Sequence, residues 1–323
     1  MAGLRTPRPP ENDVAGGRLG PSTCNERMMY YNHNTWAYYN GDFVKASEAG
    51  VDLFGQSLHY GYGVIDGMRA YATHNGTRIF KAKRHIDRLS ASCRRIGIDF
   101  PWPESELVEA AYQLLRKNNL NAAYIRTLVT TGNNMFLTSG APSNIIILAW
   151  EWGPFLGSDL IRVTLSPYQR PNPNSLPANT KISGLYVASI YATNEAVSRG
   201  FDEAILTDLS GNIAQASSNN IFIEKDGVLY TPPAGAILEG ITRQTVFDLA
   251  TYLHIEAMEK TITPAELAEA DSAFLTGTAT GIIGIASVDG RPMPLDWQDS
   301  LGSSIQRAYK GLTLEQLNFD VII

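Results

Sequence analysis

Residues 179–222, NTKISGLYVASIYATNEAVSRGFDEAILTDLSGNIAQASSNNIF, decide how this chain is read. Lys181 opens the stretch between a proline-rich loop and a helix-like run over residues 185–199. A lysine at a loop-to-helix junction, off the solvated helix face, is placed to act as a nucleophile. An apolar strand follows over 203–207, then a turn at Ser210-Gly211-Asn212, a polar small-residue patch over 215–220, and another strand.

Outward from that stretch, the second half mixes strands with helices. Strands are read over 220–224 and 228–231, joined across Asp226-Gly227, and Val246, Leu249, Ala250 and Leu253 give a helix one apolar face. That helix is read as starting just after Leu238-Glu239-Gly240-Ile241-Thr242. Its entry admits two readings, a phosphate site made of free backbone N–H groups or a glycine turn with a threonine cap. Thr276-Gly277-Thr278-Ala279-Thr280-Gly281, after the strand-like Ala273-Phe274-Leu275, is read either as a plain loop or as a wrap around an anion.

In the first half the pattern from Met29 is strand-like in MYYN, TWAYYN and DFVKA, which points to a small antiparallel sheet. Residues 64–71 alternate as a strand, and Asn75-Gly76 marks a hairpin turn. Ile86, Leu89, Cys93 and Ile96 share one face of a helix, and Leu107, Ala110, Ala111 and Leu114 share the face of a second behind Pro103. AAYIRTLVTTG and NIIILAW are apolar strands, WGPFLGSDL is a linker, IRVTLSP a strand and QRPNPNSLPANTK a loop.

A chain of 323 residues with 44% hydrophobic side chains is long enough for two cores. The expected division is a disordered extension over 1–28, a small α/β domain over 29–152, a linker over 153–160 and a large α/β domain over 161–323. The extension is rich in Pro, Gly and Arg, lacks the apolar core of a signal peptide, and carries Glu11 and Asp13, which argue against a transit peptide. With no apolar run of about 18 residues, the chain is not expected to span a membrane. A formal charge of −6 argues against a nucleic-acid partner. Cys24 and Cys93 make neither a disulfide framework nor a metal-ligand spacing, so a reducing, cytoplasmic setting and no metal are expected.

Several of these motifs together resemble the class IV (fold type IV) aminotransferases that use pyridoxal phosphate, most closely the branched-chain amino acid aminotransferases. The resemblance runs from Met29 onward and implies an α/β (α+β), two-domain, D-amino acid aminotransferase-like architecture. TKISGLY places Lys181 where the family lysine holds pyridoxal 5'-phosphate, with Tyr186 beside the cofactor's phenolic oxygen. The phosphate cup of relatives matches Arg88 in Arg84-His85-Ile86-Asp87-Arg88-Leu89, with Leu238, Ile241 and Thr242 in the LEGIT turn, and Thr278 in Gly277-Thr278-Ala279. LHYGYGVIDGMRAY, AAYIRTL and AWEWGPFLG imply a substrate pocket lined by Tyr60, Ile65, Tyr124 and Trp152. Arg126 then meets a substrate carboxylate, the amides of Thr278 and Ala279 bind the α-carboxylate, and Arg69 assists at the rim.

Gln215 departs from the family. It lies 34 residues after Lys181, where relatives commonly carry a glutamate that pairs with the cofactor's pyridine nitrogen. An amide cannot balance a pyridinium charge, so a weaker electron sink is implied. Ile65 and Phe155, at positions where relatives often carry phenylalanine and tyrosine, imply a reshaped acyl pocket. The resemblance implies amino acid and 2-oxo acid substrates, with transfer from leucine, isoleucine and valine to 2-oxoglutarate, and a homodimer or higher homo-oligomer. Two alternatives stay open: a D-amino acid or (R)-amine transaminase or aminodeoxychorismate lyase on the same fold, and a weakly active cofactor-binding homologue, for which Gln215 speaks.

Overall fold

The first sheet is all antiparallel and has the strand order β2-β1-β6-β5-β3-β4. Its strands are β1 (Trp36–Tyr39), β2 (Asp42–Lys45), β3 (Val64–Thr73), β4 (Gly76–Ile79), β5 (Ala123–Thr131) and β6 (Ser143–Trp150). This computed structural model describes residues 30–153 and 160–316. The extension over 1–28 and Phe155 therefore lie outside the described residues, as does most of the linker. Tyr30, Tyr31 and Asn32 form no strand, contrary to the alternation in MYYN. The reason is local: Asn34 N–H donates to the Asn32 side chain at 2.8 Å and Thr35 N–H to the Asn32 carbonyl at 3.1 Å, a turn that competes with pairing.

Side chains alternate across β3, so Val64, Asp66, Met68 and Ala70 face one way and Ile65, Gly67, Arg69 and Tyr71 the other. The first face is covered by two helices. After α1 (Gln56–Tyr60) come α2 (Ala82–Arg95) and α3 (Glu104–Lys117), whose Ile86, Leu89, Leu107 and Leu114 pack with Met68, Ile125 and Ile147. Cys93 belongs to this core, and burial pushes its thiol up to about 12, so it packs as an apolar group.

The second sheet runs β12-β11-β10-β13-β14-β7-β8-β9, with β15 paired to β14. Its strands are β7 (Leu160–Gln169), β8 (Glu203–Thr207), β9 (Ile213–Ala216), β10 (Asn220–Lys225), β11 (Val228–Thr231), β12 (Ala257–Glu259), β13 (Ser272–Gly277), β14 (Gly281–Val288) and β15 (Arg291–Pro292). The sheet curls until its edges meet, where Ile213 N–H donates to the Ile262 carbonyl at 2.7 Å. Ile161, Val163, Ile205, Leu275 and Ile283 fill the concave side. Among the described residues four α-helices belong to this half: α4 (Tyr186–Ser198), α5 (Ile241–Tyr252), α6 (Pro264–Ala268) and α7 (Leu301–Thr313). Val246 and Leu249 of α5 and Ile305 and Leu312 of α7 pack against Phe222 and Phe274, whose rings stack 5.1 Å apart.

Three further details differ from the sequence reading. Gln215, read within a polar patch, sits in β9; α5 begins inside the LEGIT motif at Ile241; and α7 is a helix which the sequence reading leaves unassigned. Among the described residues no helix is long and apolar enough to cross a membrane, and no group of His, Cys, Asp and Glu side chains is placed to hold a metal ion.

Candidate active site

Lys181 lies where the loop after β7 meets the first sheet, and its backbone is sewn onto the start of β3. Ile65 N–H donates to the Lys181 carbonyl at 3.0 Å, Ser183 N–H to Gly63 at 2.9 Å and Gly184 N–H to Gly61 at 3.1 Å. Lys181 N–H in turn donates to the Ser92 hydroxyl of α2 at 3.3 Å. The close approach needs glycine on both sides. Gly61 has φ +66°, and a Cβ there would stand 2.9 Å from Gly184 Cα. A single 3₁₀ turn, Ser183–Leu185, then carries the chain into α4, whose first residue is Tyr186. This turn brings the Tyr186 hydroxyl into hydrogen-bond contact with Lys181 Nζ. Burial pushes the Tyr186 phenol up, but the Lys181 ammonium and the Arg88 guanidinium outweigh it and hold the phenol below its ordinary value.

The same pocket is lined by the entry of α5. Gly240, the residue before α5, is extended and supplies no side-chain cap to the first N–H groups of the helix. Free amides at the positive end of a helix are suited to a phosphate. Thr278, at the tip of the turn between β13 and β14, and Arg88 of α2 line the same space. Arg88 is held from behind by Asp66 of β3: Nε donates to Oδ2 at 2.8 Å and Nη2 to Oδ1 at 3.0 Å. His85 Nδ1 also contacts Asp66 Oδ1 at 2.8 Å. Burial pushes the Asp66 carboxyl up, yet Arg88 and His85 pull it well below the usual carboxylate range. For His85 burial prevails over Asp66, and the imidazole stays neutral more readily than in water.

Gln215 and Leu238 complete the predicted cofactor set in this one pocket, where Leu238 N–H donates to Gln215 Oε1 at 3.0 Å. The substrate set is distributed differently. Ile65, Arg69, Tyr124 and Arg126 lie on the sheet face away from α2 and α3, with Gly67 opposite Arg126 and Arg69 opposite Tyr124. Tyr124, Trp150 and Trp152 form an aromatic cluster with centroids 4.8–5.5 Å apart. Arg126 Nη2 donates to the Tyr124 hydroxyl at 3.2 Å, while its buried Nε meets no partner among the described residues. Arg69 reaches across to the Ala279 carbonyl at 2.6 Å. Tyr60 is not brought to the pocket: it is 46% exposed and its hydroxyl donates to the Met135 carbonyl at 3.2 Å. Sequence reasoning missed Asp66, which clamps Arg88, and Arg170, Ser189 and Ser217, which line the pocket. Arg170 carried a signal, since it opens the proline-rich loop that leads to Lys181.

Residues 63–288 match the family described as amino-transferase class IV. The chain is a class IV aminotransferase. It is 40% identical over 278 residues to a branched-chain-amino-acid aminotransferase of Pseudomonas aeruginosa, covering 84% of this chain and 91% of that one. The crystal structure of a branched-chain aminotransferase from the archaeon Thermoproteus uzoniensis with norvaline superposes with a TM-score of 0.84 at 35% identity, covering 87% of this chain and 95% of that one. That of Thermobaculum terrenum in its PLP-form does so with a TM-score of 0.83 at 26% identity, covering 88% and 96%. In this aminotransferase, then, a lysine and a tyrosine stand at one part of the pocket and an uncapped helix entry at another, as the chemistry of an aldehyde phosphate requires.

Proposed function

We propose that this chain transfers the amino group of L-leucine, L-isoleucine and L-valine to 2-oxoglutarate, with pyridoxal 5'-phosphate bound to Lys181. The observation that carries this is the joint presence, in one pocket, of Lys181 against Tyr186 and of Arg88 beside the uncapped entry of α5. These residues fit the cofactor: an amine for the aldehyde, and a guanidinium and free amides for the phosphate.

When bound, the cofactor supplies an electrophilic carbon for the lysine and a ring that withdraws electrons from the substrate Cα. The chain's own groups do the rest. Arg88, Ile241, Thr242 and Thr278 hold the phosphate. Tyr186 would orient Lys181 Nζ, and the Lys181 amine would hold and move the proton at the substrate Cα. Ile65, Tyr124 and Trp152 shape the acyl pocket. Arg126 takes a carboxylate, and the Thr278 and Ala279 amides take the α-carboxylate, with Arg69 holding that turn through its bond to Ala279. The curated relatives named branched-chain-amino-acid aminotransferases support leucine, isoleucine and valine as donors.

The enzyme works in the cytoplasm as a homodimer, with residues 29–152 and 161–323 as its two domains. Two groups of exposed apolar side chains support the dimer: Val187, Ile190 and Tyr191 on α4, and Phe54, Leu58 and Phe136 around Tyr60. The sheets divide between the two proposed domains, which supports the boundary. Borohydride reduction followed by peptide mass analysis tests the proposal. The Lys181 peptide gains the phosphopyridoxyl mass, and L-leucine turns over in preference to D-alanine and (R)-phenylethylamine. An unmodified Lys181 peptide, or full turnover by Lys181→Ala, overturns it.

A further inference from the structure

Among the described residues the pocket assigned to the cofactor is lined by no carboxylate. Its formally charged side chains, Arg88, Arg170 and Lys181, are all basic. Arg88 has its own anion in Asp66. Arg170 does not: it is buried, its Nε donates to the uncharged Ala236 carbonyl at 3.3 Å, and burial pulls its pKa down with no carboxylate to offset the cost. The one glutamate behind this wall, Glu203, accepts from Ser217 Oγ at 2.9 Å and from Ala204 N–H at 2.7 Å, and burial pushes its carboxyl up. Glu203 is bound on that side and is not among the residues that line the pocket.

Most of the buried polar side chains around this space are already engaged. Ser189 donates to the Ser217 carbonyl at 2.6 Å, Ser217 to Glu203, and Asn220 to the Leu238 carbonyl at 2.9 Å. Gln215 differs. Its oxygen accepts the Leu238 N–H at 3.0 Å, which leaves the amide nitrogen as the donor end. Nε2 makes one bond, to the neighbouring Ala216 carbonyl at 3.2 Å, and its second N–H meets no acceptor among the described residues.

We infer that a pyridine ring held here keeps its nitrogen unprotonated, and that Gln215 serves that nitrogen as a hydrogen-bond donor. The inference rests on the proposed occupancy of the pocket by pyridoxal 5'-phosphate. A pyridinium would add a cation to a pocket that already holds Arg170 and no lining carboxylate, whereas a neutral ring nitrogen would accept the spare N–H. The consequence falls on the step in which Lys181 removes the Cα proton, because a neutral ring withdraws fewer electrons. Gln215→Glu places a carboxylate in the same pocket as Arg170, and kcat is expected to rise about tenfold or more with little change in KM.

The test uses holoenzyme loaded with cofactor carrying nitrogen-15 in the ring. Loading is checked first by absorbance and by the reduced Lys181 peptide; a failure there strikes the occupancy and not the charge state. In loaded wild type the ring resonance is expected at the position of unprotonated pyridine, unchanged between about pH 6 and pH 9. A resonance at the pyridinium position at neutral pH overturns the inference. In Gln215→Glu the resonance is expected to move to the pyridinium position, and one that stays put overturns the role of Gln215. If that variant does not fold, the wild-type titration still decides the charge state.

Discussion

Asp66 illustrates how much of a binding site is set by a residue that never touches the ligand. It is fully buried, takes two of the Arg88 N–H groups and contacts His85, so the guanidinium is held in one orientation with its Nη1 edge left toward the Glu239 carbonyl at 3.4 Å. Asp66→Asn is expected to weaken binding of pyridoxal 5'-phosphate by about tenfold to a hundredfold, or ~1.4–2.8 kcal/mol, while binding of unphosphorylated pyridoxal changes little. Titration of the apoenzyme with both ligands checks this, and equal losses for the two would mean a general structural defect. The same carboxylate sets a pH dependence. Its folded-state pKa lies below the unfolded value, so its contribution to stability is present above that value and lost as pH falls through the folded one. The gap in urea midpoint between wild type and Asp66→Asn should therefore be widest near neutrality and narrow progressively below about pH 4. Lys181, Tyr186, Arg88 and Thr242 were legible in the sequence because each lies in a short contiguous motif. Asp66 was not, because its partnership with His85 and Arg88 joins a strand to a helix across 19 and 22 residues, and no local spacing encodes it.

At the scale of elements, β3 is built around an omission. A Cβ on Gly67 would fall 1.9 Å from the Tyr124 hydroxyl, so the ring lies over bare backbone between β3 and β5. Gly67→Ala must displace Tyr124 and is expected to cost roughly 1–3 kcal/mol in urea unfolding. It should also raise KM for leucine more than it lowers kcat, since Tyr124 borders the proposed acyl pocket and not the Lys181 amine. A variant with unchanged KM would separate Tyr124 from substrate recognition. Periodicity made β3, β5, β6, α2 and α3 readable, because each has one face buried and one turned elsewhere. It failed at residues 30–32, where asparagine side chains claim the backbone, and at β9, where Ile213 to Ala216 are buried on both sides and show no alternation. The entry of α5 was located to within a few residues only, since a glycine without a side-chain cap gives the start of a helix little signature.

At the scale of the molecule, exposed apolar side chains on α4 leave a surface that water alone covers poorly. Ile190, 58% exposed on that helix, is the position to probe. Light scattering should give wild type twice the 35.3 kDa chain mass and Ile190→Asp a substantial monomer fraction. A wild-type monomer would remove the homodimer from the proposal. A two-part plan was expected from chain length and from the family resemblance, whereas the curling of the second sheet until Ile213 meets Ile262 was not, because closure is a long-range pairing. The stitching of residues 181–184 onto residues 61–65 has a consequence for how the enzyme fails. The Lys181 amine, proposed as the reactive group, is anchored by a strip of backbone borrowed from the other half of the chain, so heat or denaturant that peels this seam apart would displace it even while each half keeps its own core.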